Sequence, residues 1–277
     1  MDPGERLKEE TEETLSYLKN NGLAKADVGI VLGFGLSQAS GVLGSARSLN
    51  LEDIPNFPLI LSFGYGKRLF FTEVYHKRVV LLEGHFNLFE GYTARSVAYP
   101  IWILSRLGVQ NLIYFSEGFS LGEKGEKGRF ILAKDHLSFI DENPVLGMLE
   151  KEGGFDLRFA GSVYNLGLSK ILREVLKERR ASWDEGVVAF RRGPLVETRA
   201  EAFFLNKVGA DLVCYSGYPE VATAAALGMK LAFLAIITAQ ATRLVSREER
   251  LKVAEAQVPM VKEVIKKFLR KVEANGV

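Results

Sequence analysis

Residues 4–20 are mostly charged, with apolar side chains only at Leu7, Leu15 and Leu18, and this spacing predicts a surface helix that Asn21-Gly22 stops. Residues 28–32 (Val-Gly-Ile-Val-Leu) carry no polar side chain and predict a short buried strand. Gly33-Phe34-Gly35 then turns the chain into a helix ending near Leu43. Residues 49–62, interrupted by Pro55 and Pro58, read as an extended loop, and 68–74 with 78–83 predict a hairpin around His76-Lys77. A helix over 93–107, kinked or begun by Pro100, leads to a strand over 111–116. The glycine-studded stretch 117–128 reads as a flexible loop, 130–133 as a short strand and 141–160 as a long irregular connection.

Residues 161–179 place Leu166, Ile171, Leu172, Val175 and Leu176 on one side of a helix. Strands over 186–190, 211–215 and 230–238 alternate with helices over 197–208 and 219–227. Ser246 and Glu249 form a capping-box pattern, and Val261, Val264, Ile265, Phe268, Leu269 and Val272 share one helical face. Strands alternating with helices, with no low-complexity linker and no internal repeat, predict the α/β class in one domain over 1–277.

Composition narrows the function classes. Across 277 residues, 36 Lys and Arg are intermixed with 34 Asp and Glu, so no basic block points to nucleic acid. Cys214 stands alone, which excludes an internal disulfide and a cysteine metal cage. His76, His85 and His136 lack metal-ligand spacing, and no metal site is expected. The polar start, Met-Asp-Pro-Gly-Glu-Arg, and the lack of an apolar run of spanning length predict a cytoplasmic protein without a membrane partner.

Several segments hold candidate chemistry. Gly33-Phe34-Gly35 after a strand offers backbone N–H groups to an anion, or is a plain tight turn; it matches neither a Walker loop nor G-x-G-x-x-G. His85, Asn87 and Glu90 follow a strand end, where they serve acid–base work or cap a surface turn, and Asp135-His136 has the same two readings. Glu197 follows Gly193-Pro194 at an apparent helix start. It is either a dipole partner or, facing a pocket, an acceptor for ring N–H donors of a heterocycle. Ser216 and Glu220 flank Pro219 in the same manner.

In order along the chain stand Gly33-Phe-Gly-Leu36, Ile54-Pro-Asn-Phe57, Glu90-Gly-Tyr92, Leu107-Gly-Val109, Lys134-Asp-His136 and Asn143-Pro144. They are followed by Asp156-Leu-Arg-Phe159, Gly193-Pro194, Glu197-Thr198, Gly209-Ala-Asp211 and Pro219-Glu220. With this order and spacing the chain resembles the trimeric purine nucleoside phosphorylases and their methylthioadenosine phosphorylase relatives. The resemblance implies a three-layer α/β sandwich around a twisted mixed sheet and a homotrimer with sites near subunit boundaries. It also implies ribosyl transfer from a purine nucleoside to phosphate, through an oxocarbenium-like transition state with charge growing on the purine.

By the same resemblance, Glu197 matches the carboxylate that binds the purine ring edge, Ser216 a serine beside phosphate and sugar, and Phe159 an aromatic covering the neighbouring subunit's sugar. Val196 stands for a stacking aromatic, Tyr215 for a methionine under the ribose and Asn87 for a histidine near the sugar 5′-hydroxyl. Ser116 and Glu90 complete the expected substrate side. Around the phosphate position lie Gly33, Phe34 in place of a serine, Tyr65 in place of a histidine, His85 in place of an arginine, and Glu117 in place of a small residue. Ala239 replaces the asparagine that supports N7 of the leaving base.

These exchanges leave three readings: a phosphorylase of weak or altered activity with phosphate as co-substrate and no other cofactor; a nucleosidase in which His85 and Glu117 polarise water; and a non-catalytic purine-binding homologue. In the catalytic readings Glu197, His85 and Glu117 carry the chemistry.

Overall fold

The computed structural model describes residues 3–122, 125–146 and 162–272. Among them nine strands form one mixed sheet in the order β2 (Arg47–Asn50), β3 (Arg68–Val74), β4 (Lys77–Glu83), β1 (Val28–Leu32), β5 (Asn111–Ser120), β8 (Leu212–Cys214), β7 (Trp183–Phe190), β6 (Phe130–Ser138) and β9 (Lys230–Gln240). The centre is parallel: β1 pairs with β4 and β5, and β5 with β9. Because β9 also pairs antiparallel with β6, the far half of the sheet curls back on itself.

Helices cover both faces of the sheet. Successive side chains of a strand point to opposite faces, and β5 sends Leu112 and Tyr114 into one core and Ile113 and Phe115 into another. The first core is closed by α1 (Pro3–Asn20), α2 (Ala94–Arg106) and α5 (Tyr218–Ala226). The second is closed by α3 (Leu166–Glu178), α7 (Val258–Lys271) and a 3₁₀ turn over Ser37–Leu43. In α7, Val261, Val264, Ile265, Phe268 and Leu269 are all buried, the face its periodicity predicts. Truncating a core phenylalanine such as Phe268 to alanine costs about 3–5 kcal/mol.

Several boundaries differ from the sequence expectation, each for a local reason. Residues 117–120 are not loop: they extend β5, held by pairing from Glu117 with Ile236 to Ser120 with Gln240. Pro100 lies inside α2 instead of starting it, because Thr93 already caps that helix by accepting from the Ser96 amide. The segment after Gly35 is 3₁₀, and the helix expected from residue 161 begins at Leu166 beyond the cap Asn165. The helix expected from Glu197 is α4 (Arg199–Lys207): Thr198 caps it, and Glu201 returns a bond to the Thr198 amide. Glu197 is thus outside the helix and cannot act as its dipole partner. Phe159 lies outside the described residues. Among the described residues no helix is long and apolar enough to cross a membrane.

Candidate active site

Where β1, β4 and β8 end and the outer part of β5 begins, the sheet opens into a cavity of about 230 Å³. Ligands in α/β sheets commonly sit at such carboxyl ends. The volume falls below the roughly 300–1,000 Å³ of ordinary small-molecule sites, and bulky side chains account for that. The walls are Phe34, Tyr65 and Phe89 on one side, Glu117 and Phe119 from β5, and Pro194, Val196, Tyr215 and Ser216 on another. The last side comes from Arg243, Leu244, Val245, Arg247 and Arg250, leading into and along α6 (Arg247–Glu255).

Gly33 lets β1 leave the sheet pressed against β5, since a Cβ there would lie 2.5 Å from the Phe115 carbonyl oxygen. The next residue, Phe34, is 2% exposed, and its ring meets Tyr65 edge-on at 5.7 Å. Gly64, at φ +91°, makes room for it; a Cβ there would stand 2.3 Å from the Phe34 ring. The turn is therefore filled by an aromatic side chain instead of being open to an anion.

Tyr65 packs edge-on over His85 at 4.8 Å, so His85 stands behind the wall and not on it. Neither ring nitrogen of His85 has a hydrogen-bond partner among the described residues, and burial lowers its pKa to about 4, leaving it neutral at pH 7. Deeper still, the Tyr114 hydroxyl donates to Glu220 at 2.9 Å, and burial pushes the Glu220 carboxyl up to about 8. Glu90 is also away from the cavity. It accepts from the amides of Leu61, Ser62 and Asn87 and from Asn87 Nδ2, tying the 58–63 loop to the 87–90 turn.

Glu117 does face the cavity. The β5–β9 register shifts just beyond Gly118, placing an extra residue, Thr238, opposite the strand. Bulges of this kind re-aim a side chain, and here the Thr238 hydroxyl donates to Glu117 Oε1 at 2.6 Å. Arg250 Nη1 reaches both carboxylate oxygens at 2.6 Å. Burial raises the Glu117 pKa, and the Arg250 charge pulls it back down. The carboxylate that replaces a small residue at the expected phosphate position therefore arrives with its own cation. Phe34 serves that pair, with the guanidinium of Arg250 at 5.3 Å and that of Arg247 at 5.4 Å from its ring centre.

The opposite end holds Glu197, 4% exposed. The Tyr215 hydroxyl donates to its Oε2 at 2.5 Å and stands between it and the cavity. Oε1 has no hydrogen-bond partner among the described residues; Arg191 Nε, at 3.4 Å, compensates its charge from outside hydrogen-bond geometry. Ser216 lines the cavity, with its hydroxyl 3.2 Å from that of Ser116 on β5. Val196 is 40% exposed at the mouth. Ala239 is fully buried in a small apolar cluster with Phe119, against which Tyr215 packs.

The cavity thus gathers Phe34, Tyr65, Glu117, Val196, Tyr215 and Ser216, with Glu197 and Ser116 directly behind it. It does not gather His85, Asn87, Glu90, Gly33 or Ala239. Sequence reasoning missed the arginines. Their signal was present: Arg247 and Arg250 lie in the first turn of a helix, where the dipole disfavours cations, so something else must hold them there.

The phosphorylase superfamily model matches residues 27–272. The chain belongs to that superfamily. It is 28% identical over 253 residues to purine nucleoside phosphorylase 1 of Bacillus subtilis, covering 90% of this chain and 93% of the relative. Against the purine nucleoside phosphorylase of Anopheles gambiae it is 30% identical over 247 residues, 86% of this chain and 69% of that one. Among solved structures, isoform 2 of the Schistosoma mansoni purine nucleoside phosphorylase, in complex with cytosine and ribose-1-phosphate, superimposes with TM-score 0.82 at 26% identity, covering 96% and 97% of the two chains. A schistosomal purine nucleoside phosphorylase in complex with hypoxanthine superimposes with TM-score 0.84 at 25% identity, covering 96% and 98%. Among the described residues, no group of three or more His, Cys, Asp or Glu side chains could hold a metal ion.

Proposed function

We propose that the cavity binds a purine nucleoside and transfers its pentosyl group to phosphate, as the similar phosphorylases of Bacillus and Schistosoma are named for doing. The observation that carries the reading is Glu197, a buried carboxylate with one oxygen free of hydrogen bonds beside Tyr215 and Ser216. A fixed acceptor of this kind suits the ring N–H of a six-oxopurine. Accepting that N–H fixes the orientation of the base, while the negative charge that grows on the purine has to be met by donors, not by this carboxylate. On this reading Ser216 and Ser116, whose hydroxyls are 3.2 Å apart, meet hydroxyls of the sugar and the phosphate.

Three features set the rate below that of an open site. The Tyr215 hydroxyl must leave Glu197 before a base can reach it, Val196 gives the base no aromatic face, and Ala239 offers no donor to N7. We further read residues 1–277 as one domain, acting as a cytoplasmic homotrimer in which Phe159 covers a neighbour's sugar. Phosphate is the co-substrate and no other cofactor takes part. The water-using alternative loses support from Glu117, whose two oxygens are both engaged by Arg250, and from His85, which is walled off by Tyr65.

Phosphorolysis of inosine and guanosine, followed by chromatography of the released base, tests the proposal. Release that requires phosphate and falls about 10²-fold in Glu197→Ala supports it. No release above that variant at high enzyme and phosphate sinks catalysis, and equal release without phosphate establishes the nucleosidase instead.

A further inference from the structure

The α6 side of the cavity gathers three arginines, whose charge Glu117 on the wall and Glu248 and Glu249 of α6 offset in part. Arg243, Arg247 and Arg250 line it, and among the described residues Glu117 is the only carboxylate on the wall. Arg250 uses only Nη1 on Glu117. Arg247 donates through Nη2 to the Phe63 carbonyl, while its Nε is buried without a hydrogen-bond partner. Arg243 makes no ion pair within 4 Å among the described residues; Glu249 of α6, which feels its charge, is held by Lys127 at 2.5 Å. Two guanidinium groups share the Phe34 ring although they repel each other and oppose the dipole of their own helix. A buried N–H without an acceptor and an excess of fixed cations call for an anion with several oxygens, which a guanidinium fork holds in two parallel bonds.

We propose that Arg247, Arg243 and the unused edge of Arg250 form an oxyanion site on the α6 side of the cavity that takes a phosphate group, as the free ion or as a monoester of a sugar or nucleoside. Phe34, which closes the β1 turn to an anion, is on this account the platform that seats the two arginines of the new site. The inference rests on the reading of the cavity as a nucleoside site only for the ligand's organic part; the anion contacts stand without it.

Calorimetric titration of the full chain with orthophosphate, and separately with a nucleoside 5′-monophosphate, tests the site and separates the two sources. Whichever binds should weaken about tenfold in Arg247→Gln and measurably in Arg243→Gln, since each removes a charge-assisted contact. Arg270→Gln, which removes a cation held by Tyr75 on the far helix α7, should leave the affinity unchanged. Arg243 is exposed, so its variant decides the matter should Arg247→Gln fail to fold. Failure of both ligands to bind at millimolar concentration, or binding indifferent to both cavity arginines, overturns the proposal. Arginine-dependent phosphate binding without base release would refute catalysis and keep the site. Base release indifferent to both arginines would do the reverse.

Discussion

Glu117 and Glu197 stand at opposite ends of one cavity, and both are buried carboxylates, yet they are held by different means. Glu117 has a guanidinium on both oxygens and a threonine hydroxyl besides. Glu197 has one tyrosine hydroxyl and an arginine at 3.4 Å that lies outside hydrogen-bond geometry. A buried ion pair is strong when whole and costly when halved, whereas a carboxylate with a free oxygen remains available to a ligand. On the proposed reading, the difference makes Glu117 a brace of the wall and leaves Glu197 open to recognition.

The sharpest way to break this comparison is Arg250→Ala, which strands Glu117 and should cost about 4 kcal/mol in urea denaturation at pH 7. The loss should shrink at acid pH, where the carboxyl can protonate; a variant as stable as the parent would show that the pair holds nothing. Glu220 supplies a third case, a buried carboxylate whose only side-chain bond among the described residues is to Tyr114. Its folded pKa of about 8 lies above the unfolded 4.5, so the folded state binds the extra proton between those values. Stability should therefore fall as pH rises through that window, by about 3 kcal/mol from pH 5 to 8. Glu220→Gln should flatten that slope in denaturation series taken across the range. His85 works in the opposite sense. Its folded pKa, about 4 against 6.5, makes its contribution complete above pH 6.5 and lost as pH falls towards 4.

At the recognition end, Glu197→Ala should lower kcat/KM for inosine about 10²-fold by removing the acceptor for the base, with the denaturation midpoint less affected than in Arg250→Ala. The smallest expected change is a gain. Val196→Phe adds a face for stacking at the cavity mouth and should tighten hypoxanthine binding about threefold to tenfold. Unchanged affinity in a titration would place the base away from residue 196.

How legible these roles were depends on the range of the interactions behind them. The buried strand at 28–32 and the apolar face of α7 follow from periodicity, because the repeat of side-chain directions is local. Glu197 and Ser216 were singled out because family-like motifs surround them, and the structure brings Ser216 to the cavity wall with Glu197 behind it. Glu117 was identified but given the wrong local structure: glycines at 118 and 122 suggested a loop, while pairing with β9 more than a hundred residues later made it strand. Its partner Arg250 is 133 residues away, and nothing near either residue announces the other.

By itself, the amino-acid sequence determined most of the order of strands and helices (though not β2), the faces they bury, the resemblance to nucleoside phosphorylases and the residue types at each expected site position. Hydrophobic period, caps and turn residues act over a few positions and can be read one segment at a time. The tertiary structure decided which of those residues share a cavity, that His85 is walled off by Tyr65, that Tyr215 covers Glu197, and that three arginines face Glu117. Those outcomes depend on strand register and on the curl that returns β9 to β5. Both are set by packing of the whole chain, and no local pattern encodes them.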